Sequence, residues 1–421
     1  MEHSKRLKPE VLAPAGNLDI LKIAITYGAD AVYIGGEAYG LRAAAHNFTN
    51  EEIVEGIKYA HERGKKVYVT ANILAHNEDL DGVREYFKEL DVIKPDAVII
   101  SDPGVFAIAK ELLHDIELHI STQANNINYG TFNFWHSLGA SRVVTGRELS
   151  MDEIAEIRKN IPDDLEIETF VHGAMCMSYS GRCLLSNYMT DRDANRGACT
   201  HPCRWRYSLV EENRPGEYLP VFENERGTFI FNSKDLCMID YIPELVNAGI
   251  DSFKIEGRMK TALYVATTVR AYRMAIDDYF EDENKYRERR EFYNRERREF
   301  YNREVNSASR RKYTTGFFFN KADETSMFYE SERSAPDTYL GTVERIDEEG
   351  RAVLEQKNKF CVGDVLEVVK PSGENVPIKV LSITDDEGNS MESCPHPKQI
   401  LHVEFDSELS ELDIIRNHVS R

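Results

Sequence analysis

No stretch of the 421-residue chain approaches the roughly eighteen consecutive apolar residues of a membrane-spanning helix, so no membrane segment is expected. The opening MEHSKRLKPE carries charge without the apolar run of a secretory leader. Cysteine is scarce and odd in number, seven in all, which argues against a disulfide framework and for a reducing compartment. The expected location is the cytoplasm. Positive charge is also short: 52 Lys and Arg face 72 Asp and Glu, a net charge of −20. That excludes indiscriminate nucleic-acid binding, because phosphate contacts need cations, but leaves room for a local basic patch. Several catalytic motifs are missing as well. GGEAYG is not a GxGxxG opening a helix, and no P-loop occurs. HERGK does not make an HExxH zinc site, and SYSGRC lacks the first glycine of a GxSxG elbow.

The few cysteines are unevenly spread. Cys176, Cys183, Cys199 and Cys203 lie together, spaced C-x6-C-x15-C-x3-C. Thiolates gathered this closely hold a metal or an iron–sulfur cluster. The spacing is looser than the paired C-x2-C knuckles of structural zinc and suits a [4Fe–4S] cubane better; zinc and unligated thiols stay open as alternatives.

Hydrophobic residues make up 42% of the chain, as in a globular protein. Over the first 280 or so residues, short β-branched runs alternate with helical patterns, the mark of parallel βαβ units. Strands are predicted at Val11–Ala13, Ala31–Ile34, Lys66–Thr70, Ala97–Ile100, Glu117–Ser121, Arg142–Thr145, Glu166–His172 and Ser252–Glu256. Such a series reads as an α/β fold, a (β/α)8 TIM-like barrel, with a doubly wound sheet as runner-up. The expected organisation is a barrel over residues 1–282 with a cysteine-rich insertion at 173–232, ending in a strand at Thr228–Asn232. A basic helical segment and linker follow at 283–335, then a small antiparallel β-barrel at 336–421. The basic segment duplicates ERREFYNR at 288–295 and 296–303, read as a solvated helix or, alternatively, an RNA-contacting face. The acidic last segment reads as a docking or assembly domain.

The stretch E-x-F-x2-G-A-M-C-x4-G-x-C-x-L-S, Glu168 to Ser186, resembles the signature of the U32 family of collagenase-like peptidases. LAPAGNLDILKIAITYGADAVYIGG, NSKDLC, DSFKIEGRMKT and YTTGFF resemble the same family, over residues 9–320. The likeness is greatest to the tRNA-hydroxylating branch, in the form of the longer member of a paired bacterial set. It implies a cysteine-ligated [4Fe–4S] cluster, prephenate as hydroxyl donor, the wobble uridine of a tRNA anticodon loop as substrate, and a shorter homologue as partner. It also sets Cys237 against Cys203 as the fourth ligand. The alternatives are a peptidase, as the family name says, or an accessory subunit of a two-chain complex.

Polar residues closing barrel strands are the natural site candidates. Glu37, Asn72, Gln123, Arg147, Arg182, Lys234 and Arg258 are expected to bind substrate, the arginines because forked guanidinium groups suit a dicarboxylate. His172, Asp235, Lys254 and Glu256 are candidates for proton transfer, Lys254 and Glu256 on one face of their strand by alternation. A core histidine and an inward structural Lys–Glu pair are the plain alternatives. Gly35 and Gly36 read as a tight turn, with close approach of substrate second.

Overall fold

The computed structural model describes residues 7–36, 47–175, 183–192, 194–196, 198–202, 234–288, 295–309, 311–319 and 336–418. The strands up to the end of the first domain are β1 Glu10–Pro14, β2 Ala31–Gly35, β3 Lys66–Ala71, β4 Ala97–Ile100, β5 Glu117–Ile120, β6 Arg142–Val144, β7 Glu166–Ala174, β8 Asp235–Cys237, β9 Ser252–Ile255 and β10 Tyr313–Thr314. All but β8 and β10 are parallel neighbours in the order β1 to β7, then β9, which pairs back onto β1 and closes the expected eight-stranded barrel. β8 runs antiparallel along β7, in register His172↔Cys237, and β10 adds beside it. The predicted strand Thr228–Asn232 lies outside the described residues.

Helices cover the barrel: α1 Leu18–Thr26, α2 Asn50–His61, α3 Leu80–Ile93, α4 Pro103–Leu112, α5 Tyr129–Ser137, α6 Met151–Lys159, α7 Leu185–Thr190 in the cysteine insertion, α8 Ile242–Asn247, α9 Ala262–Glu281, α10 Glu283–Glu288 and α11 Arg295–Ser307. Their starts are written locally. Thr49 with Glu52 and Ser150 with Glu153 form capping boxes, and the Asn17 and Asp102 side chains accept the first free N–H groups of α1 and α4. The strands bury both faces, as a closed parallel sheet must. Leu12, Tyr33, Tyr68 and Ile99 pack inside the barrel, while Val11, Val32, Val69 and Val98 face the helices. Among the described residues no helix is long and apolar enough to cross a membrane.

The C-terminal segment is β11 Asp337–Ile346, β12 Ala352–Glu355, β13 Val365–Val369, β14 Val376–Asp385, β15 Ser390–Met391, β16 Ile400–Phe405 and β17 Ile414–His418. Six of these close in the order β13-β17-β11-β12-β16-β14, all antiparallel, with β15 on the outside of β14. This second barrel is bolted to the first. Tyr27, capping the C-terminus of α1, reaches Val369 O at 2.6 Å and Leu412 O at 3.1 Å. Arg270 of α9 and Arg416 of β17 both grip Glu304 of α11, at 2.6 and 2.8 Å, and all three are fully buried. Asp337 and Glu367 complete the pairing around Arg416 at 3.0 and 2.5 Å. Charges this deep are tolerated only when paired, so removing one member strands the others.

The second copy of the duplicated octapeptide is largely tied down. Tyr301 and Val305 sit in the main core, Arg297 pairs with Asp278 at 3.0 Å, and Arg298 with Asp240 at 2.7 Å. These arginines pair with acids of the neighbouring helical segments. Residues 289–294 of the first copy lie outside the described residues.

Candidate active site at the barrel mouth

Polar residues enter this barrel from its floor upward. Glu10, Arg142 and Glu168 occupy inward strand positions and are 15, 3 and 0% exposed at the side chain. Arg142 Nη1 lies 2.6 Å from Glu10 and 3.3 Å from Glu168, while Tyr68 and Ser252 donate to Glu10 at 2.7 and 2.8 Å. Burial by itself would raise the Glu10 carboxyl. The Arg142 guanidinium outweighs that and holds it below its ordinary value. Glu168 then passes the chain of ion pairs upward, its other oxygen 2.6 Å from Lys254 Nζ on β9. Lys254 stands over the Tyr33 ring at 4.5 Å and near the Phe170 ring at 5.4 Å. Arg147, from the loop after β6, also lies against Phe170, at 4.0 Å, and donates to Ala174 O at 2.7 Å.

Above β9 the chain turns through Glu256 to Arg258. Tyr33 donates to Ile255 O at 3.0 Å and lies 3.4 Å from Glu256 Oε2, so Lys254 and Glu256 share one face, as alternation predicted. Arg258 is 6% exposed and donates from Nη1 to Thr70 Oγ1 at 3.2 Å. Two glycines make room for it. A Cβ at Gly35 would overlap Nη1 and lie 3.0 Å from Cζ, and a Cβ at Gly16 would overlap the backbone oxygen of Arg258. At Gly36 a Cβ would overlap the Tyr86 hydroxyl. Gly35 and Gly36 thus serve close side-chain packing; neither is among the residues in the left-handed backbone region. Across the mouth, Asn72 after β3 donates from Nδ2 to Ser121 Oγ at 3.2 Å, and the backbone N–H of Gln123 donates to the same oxygen at 3.3 Å.

The fold therefore gathers Asn72, Gln123, Arg147, Lys254, Glu256 and Arg258 around one opening. Tyr33, Thr70, Glu168 and Phe170 join them, and sequence reasoning did not place these four. The charge on Glu168 inside an apolar strand was the available signal, since a buried carboxylate demands a cation.

Other candidates lie behind the sheet. A bulge between Phe170 and His172, which oppose consecutive residues Lys254 and Ile255, turns the His172 ring away from the mouth. His172 packs among Tyr264, Tyr272 and Tyr313 at ring distances of 5.9, 5.6 and 5.1 Å, with Nε2 3.2 Å from the Tyr313 hydroxyl. Burial, helped by Lys260, pushes its pKa down to about 3. Asp235 of β8 lies 3.5 Å from Arg311 on the same side, with Lys234 just before it. Glu37, Arg182, Cys176 and Cys203 lie outside the described residues.

Of the remaining cysteines, Cys183 and Cys199 are partly exposed in the insertion, chemically suited to act as thiolate donors. His201 N–H donates to Cys199 Sγ at 3.4 Å, the kind of contact that favours a sulfur anion. Cys237 is different. It packs partly buried against the core, and burial with nearby Asp240 pushes its thiol up to about 12. Among the described residues no three His, Cys, Asp or Glu side chains converge as a metal site.

The family model described as "Peptidase family U32" matches residues 16–328, and "Peptidase family U32 C-terminal domain" matches 337–416. The chain is 41% identical over 411 residues to tRNA hydroxylation protein P1 of Bacillus subtilis, covering 97% of this chain and 94% of that one. It is 37% identical over 453 residues to tRNA hydroxylation protein P of Escherichia coli, covering 97% of each. Bacillus subtilis tRNA hydroxylation protein P2 is 39% identical over 315 residues, covering 75% of this chain and 98% of that one.

Proposed function

The chain belongs to peptidase family U32, and from that we propose that it is an RNA-modifying hydroxylase that converts the wobble uridine of tRNA to 5-hydroxyuridine. Near-full-length likeness to tRNA hydroxylation proteins carries this reading. The mouth supplies suitable chemistry. Arg147, Lys254 and Arg258 converge on a sheltered opening, where charge-assisted bonds to carboxylates are stronger than in water. That cradle fits prephenate, a dicarboxylate, as hydroxyl donor. Glu168 holds Lys254 in place from below, and Tyr33 and Phe170 wall the site with rings that leave the cations little water. Glu256, beside Tyr33, is the carboxylate placed to take or return a proton at the mouth.

In this reading a [4Fe–4S] cluster is held by Cys176, Cys183, Cys199 and a fourth thiolate from Cys203 or Cys237. When bound it would supply electron-transfer or Lewis-acid chemistry. The peptidase alternative is weakened by His172: the base that a Cys176 nucleophile would need is enclosed by three tyrosines. A shorter homologue of the P2 kind is the proposed partner, and the cytoplasm the proposed location.

The test is anaerobic purification followed by iron and acid-labile sulfide analysis, with tRNA and prephenate assayed by nucleoside mass spectrometry. About four iron and four sulfide per chain, lost in Cys176→Ala, with 5-hydroxyuridine formed, is the expected outcome. Zinc or no metal, with iron-independent proteolysis, would return the chain to the peptidase reading. Hydroxylation only on mixing with the shorter homologue would make it one half of a two-chain enzyme.

A further inference from the structure

The cations at the mouth leave a second set of groups unused. Asn72 Oδ1 and Gln123 Oε1 are buried and have no hydrogen-bond donor among the described residues, and Asn125 Oδ1 in the same loop is in the same state. Their surroundings hold them in place. The Ser121 oxygen accepts from both Asn72 Nδ2 and the Gln123 backbone N–H, and Asn125 Nδ2 donates to Gln123 O. Buried amide oxygens without donors are costly, and here they gather where two strands end at a candidate site. A carboxylate group cannot satisfy them, since it brings only acceptors. The ligand that fits carries N–H or O–H groups.

Resting on the hydroxylase reading above, we propose that Asn72 and Gln123 are specificity-determining residues that receive the imide N–H of the substrate pyrimidine. The mouth is then divided by chemistry. Arg147, Lys254 and Arg258 take the anionic donor on the β6, β9 and β2 side, and the amides after β3 and β5 take the base. A uracil held by N3–H turns its opposite edge, which carries C5, away from the amides and toward the rest of the opening. A base methylated at N3 loses the donor and drives a methyl group into acceptor oxygens, which a site built on polar pairing rejects strongly.

The test uses the full-length, anaerobically purified protein and anticodon stem-loops carrying uridine or 3-methyluridine at the wobble position, with binding followed by fluorescence anisotropy. Wild type should prefer uridine by about tenfold or more. Asn72→Ala and Gln123→Ala should lose that preference, and Gln123→Glu, which keeps an acceptor, should retain it. A merely structural role would weaken both RNAs alike and leave the ratio unchanged. No preference in wild type, or an unchanged ratio in both alanine variants, overturns the inference. Hydroxylation of tRNA measured in parallel separates the two levels. Hydroxylation without the N–H preference sinks this inference alone; the preference without hydroxylation sinks the hydroxylase reading alone.

Discussion

Gly35→Ala is the substitution that most directly asks what Arg258 is for. The added Cβ would overlap Nη1 of Arg258 and come within 3.0 Å of its Cζ, where carbon contacts settle nearer 3.5–4.0 Å. The guanidinium must retreat by on the order of 1 Å, and it can, because the obstruction is the far end of a flexible side chain. That retreat stretches its 3.2 Å bond to Thr70 beyond hydrogen-bonding range. A charge-assisted bond contributes roughly 1.5–3 kcal/mol, and a misplacement of about 1 Å at a reacting site costs on the order of 100-fold. The expected result is prephenate affinity lower by about 10- to 100-fold, read by titration calorimetry, with unfolding free energy lower by at most the roughly 1.5–3 kcal/mol of that bond. Gly16→Ala is the contrast. There the overlap is with the backbone oxygen of Arg258, which cannot swing aside, so stability should fall by about 1–3 kcal/mol. If Gly35→Ala binds prephenate as wild type does, Arg258 is no part of the donor site. If it destabilises the fold by more than about 3 kcal/mol, Arg258 is a structural prop.

Glu168→Gln removes the carboxylate shared by Arg142 and Lys254 inside the barrel and should cost about 3–5 kcal/mol in chemical denaturation. Adding Lys254→Met should recover part of that loss, and a single-variant cost below about 1 kcal/mol would show that the pair is hydrated. His172 sets an acid limit. Its folded pKa is about 3 against an ordinary value near 6.5, so between those limits only the unfolded chain takes the proton. Stability should therefore fall as pH drops below about 6.5, by up to about 1.4 kcal/mol per pH unit from this group, and His172→Phe should flatten that slope. Equal slopes in the two proteins between pH 6.5 and 5 would refute the assignment.

The barrel was legible because parallel strands buried on both faces read as near-continuous apolar runs, and each predicted barrel strand coincides with an observed one to within two residues at either end. The mouth was legible through the strand-end rule, which picked out Asn72, Gln123, Arg147 and Arg258. What escaped were contacts between distant residues. Gly35 and Gly36 looked like a turn because the sequence does not say that Arg258 and Tyr86 will press against them. The bulge that turns His172 outward leaves no compositional mark, since residues 170 to 172 read as plain strand. β17 escaped too: Arg416 sits in it as a charge in an apolar run, explained by Glu304, Asp337 and Glu367 from elsewhere in the chain.

Residues 175–234 leave the barrel from β7 and return through β8, and β8 pairs with β7 itself. Both feet of the excursion thus stand side by side on one stave, about 4.8 Å apart. A loop so pinned can lengthen cheaply, since each doubling costs only about 0.6 kcal/mol in closure entropy. None of that cost is charged to the barrel. Descendants of such a chain can rebuild the excursion while inheriting the ring of arginines and amides unaltered, so new substrates become reachable without relearning how to fold.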